Sequence, residues 1–139
     1  MIKRRRLFIL TGFVILILIG FITMPFLFIG PPQPLFSIHN NDINKHSVVV
    51  ELFNSDNKSL FEQTYELSPE ATIWQPKPTW MLLELSIPPG DSEEYKLKTI
   101  LDNNFTDNYQ IELQTWGMAD IVLYEKDAED HLFIRETAV

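Results

Sequence analysis

The sequence predicts a single N-terminal transmembrane helix followed by an all-β domain, an antiparallel two-sheet sandwich of about eight strands with Greek-key links. Three observations carry this. Residues 7–30 hold no charged side chain and follow directly on Lys3, Arg4, Arg5 and Arg6. Beyond them, short β-branched and aromatic runs alternate with polar turn clusters. No convincing helical period occurs after residue 30.

As a continuous helix, the 24 residues 7–30 are about 36 Å long, enough to cross a bilayer with some tilt. Pro25 interrupts the run, and residues 7–24 alone give about 27 Å, near the lower limit for a span. Cations flanking a span stay on the cytoplasmic side, so residues 1–6 are expected inside and residue 31 onward outside. A cleaved signal peptide fits less well: the apolar run is too long, and Phe26, Leu27, Phe28 and Ile29 stand where a peptidase needs small residues. The chain has no cysteine, which excludes a lipid-anchored N-terminal Cys. A core helix of this length would carry a polar face, and this one has none. Gly12 and Gly20 lie near one helix face, without a strict GxxxG.

Residues 31–34, Pro-Pro-Gln-Pro, cannot continue a helix and read as a short stiff spacer before a domain at 35–139. Residues 35–39 form the first expected strand, and 40–45 are a turn cluster. Residues 47–53 put Val48, Val50 and Leu52 on one face. After the polar turn 54–58, residues 59–67 place Phe61, Tyr65 and Leu67 on one side, so the two strands read as a hairpin. Three prolines make 68–78 a loop or an irregular edge crossing. Residues 80–87 read as a strand with Met81, Leu83, Leu85 and Ile87 in register, ended by Pro88-Pro89-Gly90. Residues 95–101 turn Tyr95, Leu97, Thr99 and Leu101 inward. Residues 102–108 are a turn, and 109–116 bring Tyr109, Ile111 and Leu113 inward. Strands at 121–125 and 132–136 close the set.

All 19 acidic residues and seven of the 11 basic ones follow Gly30, so the outer part carries a net charge of −12. Such a domain does not seek nucleic acid or anionic headgroups. Without cysteine, its stability rests on apolar burial.

The segments HSVVVELF, TYELSPE and PPGDSEEYKLKTILDN, within residues 36–102, resemble small membrane-anchored envelope proteins of archaea and bacteria with immunoglobulin-like or cupredoxin-like β-sandwich ectodomains. The resemblance implies an extracytoplasmic sandwich and carries over no active site. A blue-copper centre requires a Cys thiolate, which the chain lacks.

His39 and His46 flank one turn and are the candidate metal ligands, with Met81 and Met118 as thioether candidates for copper. Their spacing follows no known ligand rule. Acidic groups at Asp91, Glu93 and Glu94 and at Glu125, Asp127, Glu129 and Asp130 are candidates for Ca²⁺, without an EF-hand pattern. No G-x-S-x-G elbow or other catalytic signature is present, so no enzyme activity and no cofactor are expected. Trp74 and Trp80 are candidates for a contact surface, against the competing reading that Trp80 and Trp116 fill the core. Asn57 and Asn104 begin N-x-S/T sequons in turn-like stretches.

The expected protein is thus a non-enzymatic, single-pass cell-envelope protein, its N-terminus cytoplasmic. Its partners are the bilayer and another envelope, surface-layer or membrane protein, not nucleic acid. The alternatives are a metal-handling module for Cu or Ca²⁺ and an accessory subunit of a larger membrane complex.

Overall fold

The computed structural model describes residues 2–28, 30–86, 94–124 and 131–138. The chain divides into two units, Met1–Pro32 and Gln33–Val139. The first is built on a 27-residue helix, α1 (Ile2–Phe28), which continues through Pro25. Gly30 follows at φ 100°, a left-handed conformation that suits glycine, and Pro31 and Pro32 prevent any continuation. The Thr23 hydroxyl donates to the carbonyls of Ile19 and Gly20, so this polar group is satisfied inside the helix. Among the described residues, no helix is long and apolar enough to cross a membrane. The side chains described without interruption in α1 are those of residues 8–24.

The second unit is a β-sandwich. Its eight described strands are β1 (Phe36–Asn40), β2 (His46–Phe53), β3 (Ser59–Leu67), β4 (Thr72–Gln75), β5 (Glu94–Leu101), β6 (Phe105–Glu112), β7 (Gly117–Leu123) and β8 (Leu132–Ala138). One sheet has the order β4-β1-β7-β8 and the other β3-β2-β5-β6. The alternation read from the sequence is the burial pattern observed. Val48, Val50 and Leu52 of β2 and Tyr95, Leu97 and Leu101 of β5 are buried against Phe36, Ile38, Ala119, Ile121 and Leu123 of the facing sheet. Phe36 meets Phe61 and Tyr65 edge-on at centroid distances of 6.0 and 5.8 Å, tying the sheets together beside β4. The β2–β3 hairpin pairs as expected, from His46 opposite Leu67 to Leu52 opposite Phe61.

Three expectations are corrected. Residues 79–86 are a helix, α2 (Thr79–Ser86), not a strand. The stretch lacks β-branched residues after Thr79 and is rich in Met, Leu and Glu, all good helix formers. Met81 is buried and Leu82 and Leu85 half-buried, the i, i+1, i+4 spacing of one helix face, while Leu83, which a strand would turn inward with Met81 and Leu85, is 60% exposed. The stretch 68–78, expected as a loop or irregular edge crossing, contains a regular edge strand, β4, which pairs antiparallel with β1. Pro69, Pro76 and Pro78 lie just outside it, so no ladder bond is lost to proline. Finally, the pairing is not antiparallel throughout: β1 runs parallel to β7. A turn also shortens. β5 and β6 are joined through residues 102–104 alone, with Asp102 and Asn103 both left-handed at φ 50° and 55°. The first strand residues of β6, Phe105 and Thr106, read from sequence as turn because Asn and Asp surround them.

Within the core, the Thr99 hydroxyl has no hydrogen-bond partner among the described residues. A buried unpaired hydroxyl costs free energy that a methyl of the same shape does not. Thr99→Val is therefore expected to raise the unfolding free energy by about 1 kcal/mol, read from denaturant midpoints.

Candidate functional site

Three clusters of polar or aromatic side chains stand out on the sandwich, and the topology puts two of them at opposite ends. Where β1 ends and β2 begins, the turn carries Asp42 four residues before His46. The β5–β6 turn brings Asp102 to the same place, since its amide donates to the Ser47 carbonyl at 2.8 Å. His46 Nδ1 lies 2.6 Å from Asp102 Oδ2, and Nε2 lies 2.8 Å from Asp42 Oδ2. Ionised carboxylates only accept, so this geometry favours the protonated ring, in which both nitrogens donate. Burial lowers the His46 pKa, but the hydrogen bonds and charges of Asp102 and Asp42 outweigh it and hold it above the usual 6.5. The His46 hydrogen bond in turn holds Asp42 below the usual carboxylate value. Burial pushes Asp102 up, but the Ser47 amide and His46 outweigh this and leave it lowered.

An aromatic stack extends from this cluster. Tyr124 lies over His46 at 4.7 Å between centroids, His131 lies 5.0 Å from Tyr124, and Phe105 meets His131 edge-on at 4.8 Å. Phe105, Thr106, Asp107, His131 and Leu132 line an open pocket of about 240 Å³.

At the opposite end, where the chain enters the sandwich, Lys77 is buried among carbonyls. Its Nζ donates to Gln33 at 2.9 Å, Pro34 at 3.0 Å, Thr115 at 3.4 Å and Gly117 at 2.5 Å. Burial pushes its pKa down to about 8. One ammonium thus draws together the entry segment, the β4–α2 loop and the β6–β7 loop. Its three N–H groups are shared among four backbone carbonyls, so the arrangement is a clamp, with no donor left over for chemistry.

The third cluster is the outer face of the β4-β1-β7-β8 sheet. Ladder register aligns Trp74, Ser37, Asp120 and Arg135 in one row and Thr72, His39, Val122 and Phe133 in the next. The Ser37 hydroxyl donates to Asp120 Oδ1 at 2.6 Å, and Arg135 grips Asp120 Oδ2 through Nε at 2.9 Å and Nη2 at 2.7 Å. His39 Nδ1 lies 2.5 Å from the Thr72 hydroxyl. Trp74 is 65% exposed and Phe133 40%, so aromatic surface flanks an ordered polar row.

The two histidines that flank the turn as candidate metal ligands have different partners: His39 faces Thr72, and His46 spends both nitrogens on carboxylates. Met81 is buried in the core, and Met118 sits on the outer row of β7. Among the described residues, no group of three or more His, Cys, Asp or Glu is placed to hold a metal ion. The Ca²⁺ candidates Asp91, Glu93, Glu125, Asp127, Glu129 and Asp130 lie outside the described residues, and Glu94 opens β5. Trp80 is 45% exposed on α2, not in the core, because the helix turns Met81 inward instead. Trp116 is half-buried. Asn57 and Asn104 are both exposed in turns. Sequence reading missed Lys77, Asp42, Asp102, Tyr124, Asp120 and Arg135. Only the Asp42–His46 spacing left a local signal; the remaining pairings join residues far apart in the chain. No protein-family model and no curated protein matches this chain.

Proposed function

We propose that the protein is a non-enzymatic, single-pass anchored protein of the cell envelope. Its N-terminus lies in the cytoplasm, and an acidic sandwich of immunoglobulin-like or cupredoxin-like type, wound as a Greek key, is displayed outside for contact with another envelope or surface-layer protein. One observation carries the reading. The described side chains of residues 8–24 in α1 are apolar or weakly polar around the whole helix, and all are exposed. A helix apolar on every side is stable only where lipid or other apolar surface covers it. The basic residues ahead of it supply the orientation. The outer face with Trp74, Phe133 and Arg135 supports the contact role, since exposed Trp and Arg on a rigid sheet are the residue types that anchor interfaces.

Fractionation tests the anchor. The full chain is expected in the membrane pellet after an alkaline wash, and Ile17→Arg, with a charge at mid-helix, is expected to move at least half of it to the supernatant. Protease added to intact cells is expected to remove the sandwich. A wild-type chain that washes off, or a sandwich cut only after lysis, overturns the reading.

A further inference from the structure

We infer that Asn104 is an N-glycosylation site and that its first sugars rest in the pocket beside it. This rests on the outward placement of the sandwich proposed above, since the lipid-linked donor is met only on that side. Asn104, Phe105 and Thr106 form the complete sequon, and all three are exposed. Asn104 sits at the tip of the three-residue β5–β6 link, its amide bonded to the Leu101 carbonyl at 2.9 Å. Asp102 and Asn103 before it are both left-handed, which makes the link tight and leaves Asn104 exposed at the end of the sandwich.

The pocket is the second observation. Its lining includes both residues that follow Asn104 in the sequon, Phe105 and Thr106, with His131 across from them. Phe105 and His131 meet edge-on at 4.8 Å, so an aromatic wall stands beside the acceptor. Sugar C–H faces pack on aromatic rings, and Asp107 and Thr106 offer oxygen acceptors and a hydroxyl for sugar hydroxyls. An open volume of about 240 Å³ accommodates one or two sugar rings.

The other sequon shares the exposure and the backbone turn bond, Asn57 N–H to the Asn54 carbonyl at 3.0 Å, but is itself left-handed at φ 57°. Its turn is closed on itself: Asn54 and Lys58 bond through backbone N–H to carbonyl at 3.1 Å, and the Asn54 side chain accepts from the Lys58 amide at 2.9 Å. Asn57 lies at the end of the sandwich where the chain enters, at the C-terminus of β2, whereas Asn104 lies at the end where β2 begins.

In the transfer, Asn104 Nδ2 attacks the anomeric carbon of an isoprenoid-phosphate-linked oligosaccharide. A C–N glycosidic bond forms, the anomeric C–O bond to phosphate breaks, the isoprenoid phosphate leaves with the bonding pair, and one amide proton passes to a base of the transferase.

Intact-mass spectrometry tests this on the full chain produced in cells that hold an oligosaccharyltransferase, with an acceptor sequon appended after Val139 as a control. One glycan beyond that on the control is expected on the wild-type chain. It is expected to persist in Asn57→Gln and to vanish in Asn104→Gln and Thr106→Ala. Enzymatic deglycosylation is expected to shift the His131 ring resonances. A modified control with a bare Asn104 overturns the inference and leaves the anchor reading standing. A bare control and a bare Asn104 together overturn both, and a glycan on Asn57 alone overturns the site assignment.

Discussion

Lys77→Met is expected to lower the unfolding free energy of the sandwich by about 3 kcal/mol, the loss of several charge-assisted hydrogen bonds offset in part by a cheaper burial. Four carbonyls converge on Nζ, from Gln33, Pro34, Thr115 and Gly117. Methionine keeps the stem and supplies no donor, so those carbonyls are left to find other partners in a buried place. The pH dependence adds a sharper signature. The ammonium has a pKa of about 8 in the folded chain, against an ordinary 10.5, because burial disfavours its charge. Between about pH 8 and 10.5 the unfolded chain therefore binds more protons than the folded one, and stability from this group rises with pH across that window. Below pH 8 the burial penalty is fully present. Denaturant titrations of the wild type and Lys77→Met at pH 7.5 and 10 check this: the gap between the two chains is expected to widen at the higher pH. A gap that narrows shows the carbonyl dipoles outweighing burial, and no gap at either pH removes the clamp.

His46→Ala is expected to cost about 2–3 kcal/mol near pH 5.5, because it removes two charged hydrogen bonds and the stack on Tyr124. The effect is confined to a pH window. The His46 pKa is raised, so its contribution is fully present below about 6.5 and is lost as pH rises through the folded value. Asp42 and Asp102 are lowered, so theirs is present above about 3.8 and lost as pH falls through their folded values. The cluster is therefore strongest from about pH 4 to 6.5, and its contribution declines on both sides. Thermal unfolding of wild type and His46→Ala from pH 3 to 9 is expected to give a difference curve peaking in that window. A difference that is flat with pH means the ring is neutral and the imidazolium assignment is wrong.

The inward faces of β2 and β5 were legible because an alternating strand displays its buried side in its own order: Val48, Val50 and Leu52, then Tyr95, Leu97, Thr99 and Leu101. The turn at 54–58 was legible for a similar local reason, since Asn, Asp and Lys in a row leave little else for the backbone to do. Residues 79–86 were misread because eight residues are too few to separate a period of 2 from one of 3.6. β4 was hidden by its shortness and by flanking prolines that in fact lie outside its ladder.

The candidate sites were less legible than the fold. Trp74 was marked as a contact residue from its type and stands on an exposed sheet face. Nothing in the chain order announces that Asp120 meets Ser37 and Arg135, or that Lys77 meets residues 33 and 117. These pairings require strands distant in sequence to become neighbours, and a lysine between two prolines reads as an ordinary solvated loop residue.

By itself, the sequence determined an N-terminal apolar helix, a strand-built body and an outer charge of −12, because each is a property of neighbouring residues or of a simple count. Only the tertiary structure decided that β1 lies parallel to β7, that the His46 ring is held between two carboxylates, and that Lys77 closes the entry end. Those outcomes follow from how the two sheets stack and which loops then share an end, and residue spacing along the chain carries no information about that.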